Sequence, residues 1–149
     1  MPWKPHVTVA AVVERNSRFL IVEEVSDGQL VYNQPAGHLD EGESLIKAAV
    51  RETLEETAWS FTPEALVGIY RWHNPDNNST YLRVCFTGQC TNHDPNQRLD
   101  TGIVRAEWLS RAELSASGRL RSPLVLRCID DYLAGIRYPL NLLSDLDGI

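Results

Sequence analysis

The stretch from Gly37 to Trp59, GHLDEGESLIKAAVRETLEETAW, constrains this chain more than any other. It opens on a glycine and a turn, Asp40-Glu41-Gly42, and then takes up helical spacing. At roughly 100° per residue, Glu52, Glu55 and Glu56 share about a quarter of the helix circumference, and Ala48 lies in the same arc. Ile46, Val50, Leu54 and Thr57 fall on the far side as an apolar stripe. The spacing therefore predicts one face for a core and another for clustered negative charge. Like charges one turn apart repel by a few tenths of a kcal/mol, roughly. A hard divalent cation reverses that sign, because Mg²⁺ and Ca²⁺ accept oxygen ligands. Without a cation the alternative is a solvated acidic face. Arg51 precedes Glu55 by one turn and can pair with it, and Glu43 sits near the helix start, where the dipole favours a carboxylate.

Length and charge narrow the partners. The 149 residues, 43% of them hydrophobic, suffice for one domain spanning 1–149 with a sizeable core. A net charge of −6 argues against a nucleic-acid polymer as partner. An acidic chain that handles phosphates needs a cation as intermediary, which agrees with the helix. Cys85, Cys90 and Cys128 have no metal-like spacing and read as buried thiols in a reducing compartment. The apolar run from Val7 is broken by Glu14 and Arg15, and no stretch has membrane-spanning length. A cytoplasmic monomer is expected, with neither membrane nor nucleic acid as partner.

Along the chain, His6–Glu14 reads as a buried strand and Phe19–Glu24 as its hairpin partner, followed by a short strand at Leu30–Asn33. After the helix, Leu66–Trp72 and Tyr81–Gly88 read as strands around an Asn74–Ser79 turn. Cys90–Thr101 reads as a polar loop and Ile103–Leu109 as a last strand. Ser110–Leu114 reads as a short capped helix, and Ser122 and Pro123 open a helix to about Leu133. The pattern implies a mixed sheet between helices, an α/β class.

The string from Gly37 to Trp59 resembles the Nudix box, G-x5-E-x7-R-E-U-x-E-E-x-G-U, where U is a bulky aliphatic residue. Gly37, Glu43, Arg51, Glu52, Glu55 and Glu56 all fall at that family's positions. The departures are Thr53 for the first aliphatic, Ala58 for the late glycine and Trp59 for the last aliphatic. Ala58 would be strained in the left-handed conformation that glycine adopts there. The segments His6–Ala10, Asn33–Leu39, Leu120–Val125 and Arg137–Leu140 are similar to the NudJ-type phosphatase branch of the family.

The resemblance implies an α/β/α sandwich and Mg²⁺-dependent hydrolysis of phosphoanhydrides, with Mn²⁺ as a possible substitute ion. The branch implies low specificity, acting on nucleoside tri- and diphosphates and on thiamine-type pyrophosphates, including hydroxymethylpyrimidine pyrophosphate, with release of orthophosphate. Glu52 and Glu56 are then the main metal ligands. Glu55 is either a third ligand or the partner of Arg51, and the Gly37 carbonyl is a further ligand. Glu43 steadies the loop and Arg51. The base is either Glu52 or Glu56 acting through a metal-bound water, or Asp100, which aligns with an acid in the same branch.

Tyr32, Trp72 and Tyr81 can stack a ring, although each is also explained by sheet packing. Arg18, Arg71, Arg83 and Arg98 can reach phosphate, and the sequence does not choose among them. His38 reads as structural, with a phosphate contact as the lesser reading. Two rival functions remain. Pro75 lies near where ADP-ribose-cleaving relatives carry a proline, though the Asn74-Pro75-Asp76 turn also explains it. A non-catalytic ligand-binding module would retain the fold without the chemistry.

Overall fold

The computed structural model describes residues 2–147. In chain order these form β1 (His6–Val12), β2 (Glu14–Arg15), β3 (Arg18–Ser26), β4 (Gln29–Asn33), β5 (Ala36–His38), α1 (Leu45–Thr57), β6 (Ser60–Asn74), β7 (Ser79–Thr91), β8 (Ile103–Leu109), α2 (Arg111–Ser117), α3 (Leu124–Leu133) and a 3₁₀ turn at Leu140–Leu142. Residues 1, 148 and 149, the ends of the expected domain, lie outside the described residues. No helix among the described residues is long and apolar enough to cross a membrane.

One sheet runs in the order β5-β1-β7-β6 and is mixed: β1 lies parallel to β7 and antiparallel to β5. Its period-2 alternation feeds two cores. Val9 and Ala11 of β1 pack with Ala48 and Ala49 of α1 on one face. Ala10 and Val12 pack with Cys128 and Ile129 of α3 on the other. This is the expected sandwich, and it explains why β1 is apolar at successive positions. The second sheet is antiparallel, β2-β3-β4, with β8 added against β3. An Asp27-Gly28 turn with φ of 51° and 76° closes β3 onto β4, the geometry that Asp-Gly favours in tight hairpins.

Several expectations shift. The first strand breaks after Val12, with Glu14–Arg15 turned into the other sheet. The hairpin strands are longer than hydrophobicity alone indicated, Ser60–Asn74 and Ser79–Thr91. Cys90 and Thr91 therefore belong to a strand, and the loop begins after them. Pro63 hides β6 from a pattern search, and the register shifts between Pro63 and Ala65, the bulge that lets a proline sit in a strand. Helix α3 starts at Leu124 after Pro123, and the Ser122 hydroxyl accepts from the Leu124 N–H at 3.1 Å.

The helix α1 is turned differently from the expected amphipathic reading. Its buried side carries Ala48, Ala49, Glu52, Thr53, Glu56 and Thr57, while Leu54 is exposed. Two of the acids thus lie on the buried side rather than opposite it. Small residues at 48 and 49 let the helix approach the sheet closely enough for the carboxylates to reach the edge strand β5.

Candidate active site

Gly37 sits on the edge strand directly under the Glu52 carboxylate. A Cβ built on Gly37 would fall 2.2 Å from the Glu52 carboxyl carbon, so any side chain here would displace that carboxylate. One turn further along α1, the Glu56 Oε1 accepts from the Ala36 N–H at 3.0 Å. Both carboxylates are therefore fixed against β5, Glu52 by packing and Glu56 by a backbone hydrogen bond.

Arg51 anchors the rest of the box. Its Nε donates to Glu43 Oε2 at 2.6 Å and its Nη1 to Glu52 Oε1 at 2.8 Å and Glu55 Oε2 at 3.3 Å. Its Nη2 donates to the His38 carbonyl and to Glu43 Oε1, both at 3.0 Å, and lies 3.3 Å from Asp40. Glu43 in turn accepts from the Asp40 N–H at 3.1 Å, locking the turn before α1. The charge-assisted bonds from Arg51 hold the Glu43 carboxyl below its ordinary pKa.

The loop after β7 is fastened to the end of α1. The Asp94 N–H donates to the Ala58 carbonyl at 3.0 Å, the Gln97 side chain to the Leu54 carbonyl at 2.6 Å, and the Asp100 N–H to the Glu55 carbonyl at 2.9 Å. This brings an oxygen each of Glu52, Glu55 and Asp100 within 4.8 Å of one another. Ala58, which ends the helix, has φ of 62°, so the box position that favours glycine keeps its left-handed backbone with an alanine.

Burial pushes the Glu56 carboxyl up to about 9, opposed by the Ala36 N–H and reinforced by neighbouring Glu52. Glu52 is also raised, again chiefly by burial, against the pull of Arg51. Two buried acids held together with further carboxylates form a hard-oxygen donor set. That set, together with the side-chain-free approach at Gly37, fits a divalent cation.

A cavity of about 340 Å³ opens over these acids. Its lining includes Gly37, Glu52, Glu56 and Asp100 on one side and Trp72, Tyr81 and Arg83 on the other. Tyr81 stands between Trp72 on β6 and His6 on β1, with ring centroids 5.9 Å and 5.1 Å away. His38 lines the same cavity, faces His6 at 3.2 Å, and has its pKa lowered chiefly by burial. Tyr32 is placed elsewhere: its ring lies under the Arg119 guanidinium, 4.4 Å from the centroid, outside the cavity lining. Pro75 occupies the β6–β7 turn, where the Asn74 side chain accepts from the Asp76 N–H at 2.9 Å.

Sequence reasoning missed several of the lining residues. Glu24, Asn33, Arg121 and Ser122 all face the cavity, and Arg121 pairs with Glu24 at 2.6 Å. The two segments quoted for the family branch, Asn33–Leu39 and Leu120–Val125, contain three of these four, which was the one available signal. Of the four candidate arginines, Arg83 is in the lining; Arg18 pairs with Glu113, and Arg71 and Arg98 are not in the lining.

A NUDIX domain model matches residues 4–127. The chain is 41% identical over 145 residues to the protein called Phosphatase NudJ in Escherichia coli strain K12, covering 97% of this chain and 94% of that protein. The solved structure of a NUDIX hydrolase from Nitrosomonas europaea matches with a TM-score of 0.95 at 54% identity, over 98% of this chain and 100% of that one. The NUDIX domain of Shewanella oneidensis NrtR, solved with ADP ribose, matches with a TM-score of 0.71 at 19% identity over 89% and 88% of the two chains, a likeness of fold.

Proposed function

Because the chain belongs to the NUDIX family of hydrolases, we propose that it is a Mg²⁺-dependent phosphatase of low specificity. Its substrates are nucleoside tri- and diphosphates and thiamine-type pyrophosphates, from which it releases orthophosphate. Residues 1–149 act as one domain with this one site. The observation that carries the reading is the carboxylate cluster of Glu52, Glu55 and Asp100 at the cavity beside Gly37. Similarity to a phosphatase over almost the whole chain supports the product.

Glu52, Glu55 and Asp100 would hold the cation, with the Gly37 carbonyl and Glu56 adjoining. When bound, Mg²⁺, or Mn²⁺ in its place, neutralises phosphate oxygens and acidifies a water. Arg51 keeps Glu52 and Glu55 in one orientation and ties them to Glu43, so the acids do not splay apart. Glu56, whose oxygens lie outside the three-acid cluster, is the proton acceptor in its ionised form, which burial disfavours and the positive charge of a cation at the neighbouring acids would favour. Trp72 and Tyr81 give the ring of the substrate a flat face without hydrogen-bond readout, which accounts for broad specificity.

The test is phosphate release from GTP, GDP, thiamine pyrophosphate, hydroxymethylpyrimidine pyrophosphate and ADP-ribose, with and without Mg²⁺. Direct orthophosphate from the nucleotides and thiamine compounds, only with metal, is expected. Cleavage of ADP-ribose alone would move the chain to another substrate class, and no turnover at all would make it a binding module.

A further inference from the structure

Along β7 the residues Tyr81, Arg83 and Cys85 point to one face, two positions apart. Tyr81 is half-buried at the cavity, Cys85 is fully buried in the core under α3, and Arg83 lies between them, 5% exposed yet still lining the cavity. Buried guanidinium groups are almost always matched by a carboxylate. Arg83 is not. Its Nη1 donates to the Gln34 side-chain oxygen at 2.8 Å and its Nη2 to the Asn33 side-chain oxygen at 3.2 Å, both neutral amides. Its buried Nε has no acceptor, and it forms no ion pair, among the described residues.

The surroundings explain how such a charge is held. The Gln34 amide is itself fixed, donating to the Val125 carbonyl at 2.7 Å. The Asn33 amide donates onward to Glu24 at 3.4 Å, and Glu24 is taken by Arg121 at 2.6 Å. Behind Arg83, the Cys128 thiol on α3 lies against both the guanidinium and Cys85. The cavity lining is thus acidic at Glu24, Asp40, Glu52, Glu56 and Asp100, with Arg83 and Arg121 as its guanidinium groups and Arg121 already taken by Glu24. An acidic side needs a cation to receive phosphate, whereas an uncompensated guanidinium receives it directly.

We propose that Arg83 is the binding residue for the terminal phosphate of the substrate, so that the phosphate end enters deep and the ring stays at the lip beside Trp72 and Tyr81. This rests on the phosphatase reading above and gives it an orientation. Water then bonds to the terminal phosphorus, the bridging P–O bond breaks toward the remainder of the substrate, and one water proton passes to Glu56. Orthophosphate release follows from which end is buried, and tolerance of different rings follows from leaving the ring at the rim.

The test uses Arg83→Met, which removes charge and keeps the stem, and Arg83→Lys, which keeps charge without the planar fork. Inorganic phosphate is titrated calorimetrically into each protein with EDTA present. Wild type is expected to bind it with an affinity that falls with salt, Arg83→Met to lose at least tenfold, and Arg83→Lys to retain a part. With GTP and Mg²⁺, Arg83→Met is expected to raise KM at least tenfold and to shift product from orthophosphate toward pyrophosphate. Phosphate binding is read without turnover, so a protein that cleaves none of the panel still answers this question separately. Equal phosphate affinity in wild type and either variant, or none in wild type, overturns the proposal. A Cys128→Ala protein binding phosphate much more tightly than wild type would also overturn it, since a thiolate would then be the native partner of Arg83.

Discussion

Thr53 carries a hydroxyl into a place suited to hydrocarbon. It is 1% exposed on the buried side of α1, and its Oγ1 has no hydrogen-bond partner among the described residues. A buried, unpaired hydroxyl costs about 1–3 kcal/mol. Thr53→Val keeps the shape and removes the orphan, so it should stabilise the protein by roughly 1 kcal/mol and raise Tm by about 3 °C with activity unchanged. Thermal unfolding with a parallel rate assay checks this; a lowered Tm would mean that the hydroxyl has a partner in solution. The contrast with the charged residues shows what was legible at this scale. Glu43, Arg51, Glu52 and Glu55 meet through helical and near-helical spacing, which a sequence displays. Tyr32 meets Arg119, 87 positions away, and no local pattern announces that contact. Likewise Arg83 is buried at the cavity while Arg71 and Arg98 are exposed, a difference that no local pattern announces.

At the scale of elements, hydrophobicity is a poor guide to which face of α1 is buried, because Glu52 and Glu56 are buried while Leu54 is exposed. The acids are on the buried side since the sheet edge accepts them, with Gly37 yielding the space and Ala36 a donor. The sandwich itself was legible from strand and helix periodicity, while the extra length of β6 was hidden by Pro63 and its bulge. The sequence reads as a polar loop after β7, and its bonds to the carbonyls of Leu54, Glu55 and Ala58 make that loop an extension of the helix end. The Glu55 and Ala58 carbonyls are among the groups a helix C-terminus leaves unpaired, while that of Leu54 already accepts from the Ala58 N–H at 2.9 Å, so the loop satisfies the helix end while the helix positions Asp100. Asp100 also serves the turn, its Oδ1 accepting from the Thr101 N–H at 3.0 Å, and on the proposed function it is part of the cation site as well. Asp100→Asn should weaken Mn²⁺ binding by about tenfold or more, as losses from a metal site do, with little change in Tm because the backbone bonds remain. Calorimetric titration of Mn²⁺ checks it. An unchanged affinity with a reduced kcat would return Asp100 to the role of base.

For the whole molecule, the site is a store of unfavourable charge whose effect depends on pH. In the folded protein Glu56 is pushed from the ordinary 4.5 to about 9 by burial, and Glu52 moves in the same direction. A carboxyl raised on folding contributes stability at low pH, and that contribution is lost as pH climbs from the unfolded toward the folded pKa. His38 works oppositely: its lowered pKa means that protonation, below its ordinary 6.5, disfavours the fold. Glu43, lowered by Arg51, likewise gives up its contribution only in acid. Burial pushes the Cys90 thiol to about 12 from 9, so its effect begins only in alkali. Between about pH 6.5 and 9 the buried acids of α1 lower the stability as pH rises, while the Cys128 thiol, whose pKa is lowered by its contact with Cys85, opposes them as pH nears 9, and in EDTA the Tm should fall across that interval. A divalent cation supplies the charge that ionised Glu52 and Glu56 lack, so Mg²⁺ or Mn²⁺ should reverse the fall, and more strongly as pH rises. Glu56→Gln removes the titrating group and should flatten most of the slope while abolishing the proton acceptor. Differential scanning calorimetry at matched ionic strength, in EDTA and in excess Mg²⁺, decides it. A metal-free wild type with level Tm from pH 6.5 to 9 would mean that these acids are not buried in solution as they are here, and that the cation completes the site by another route.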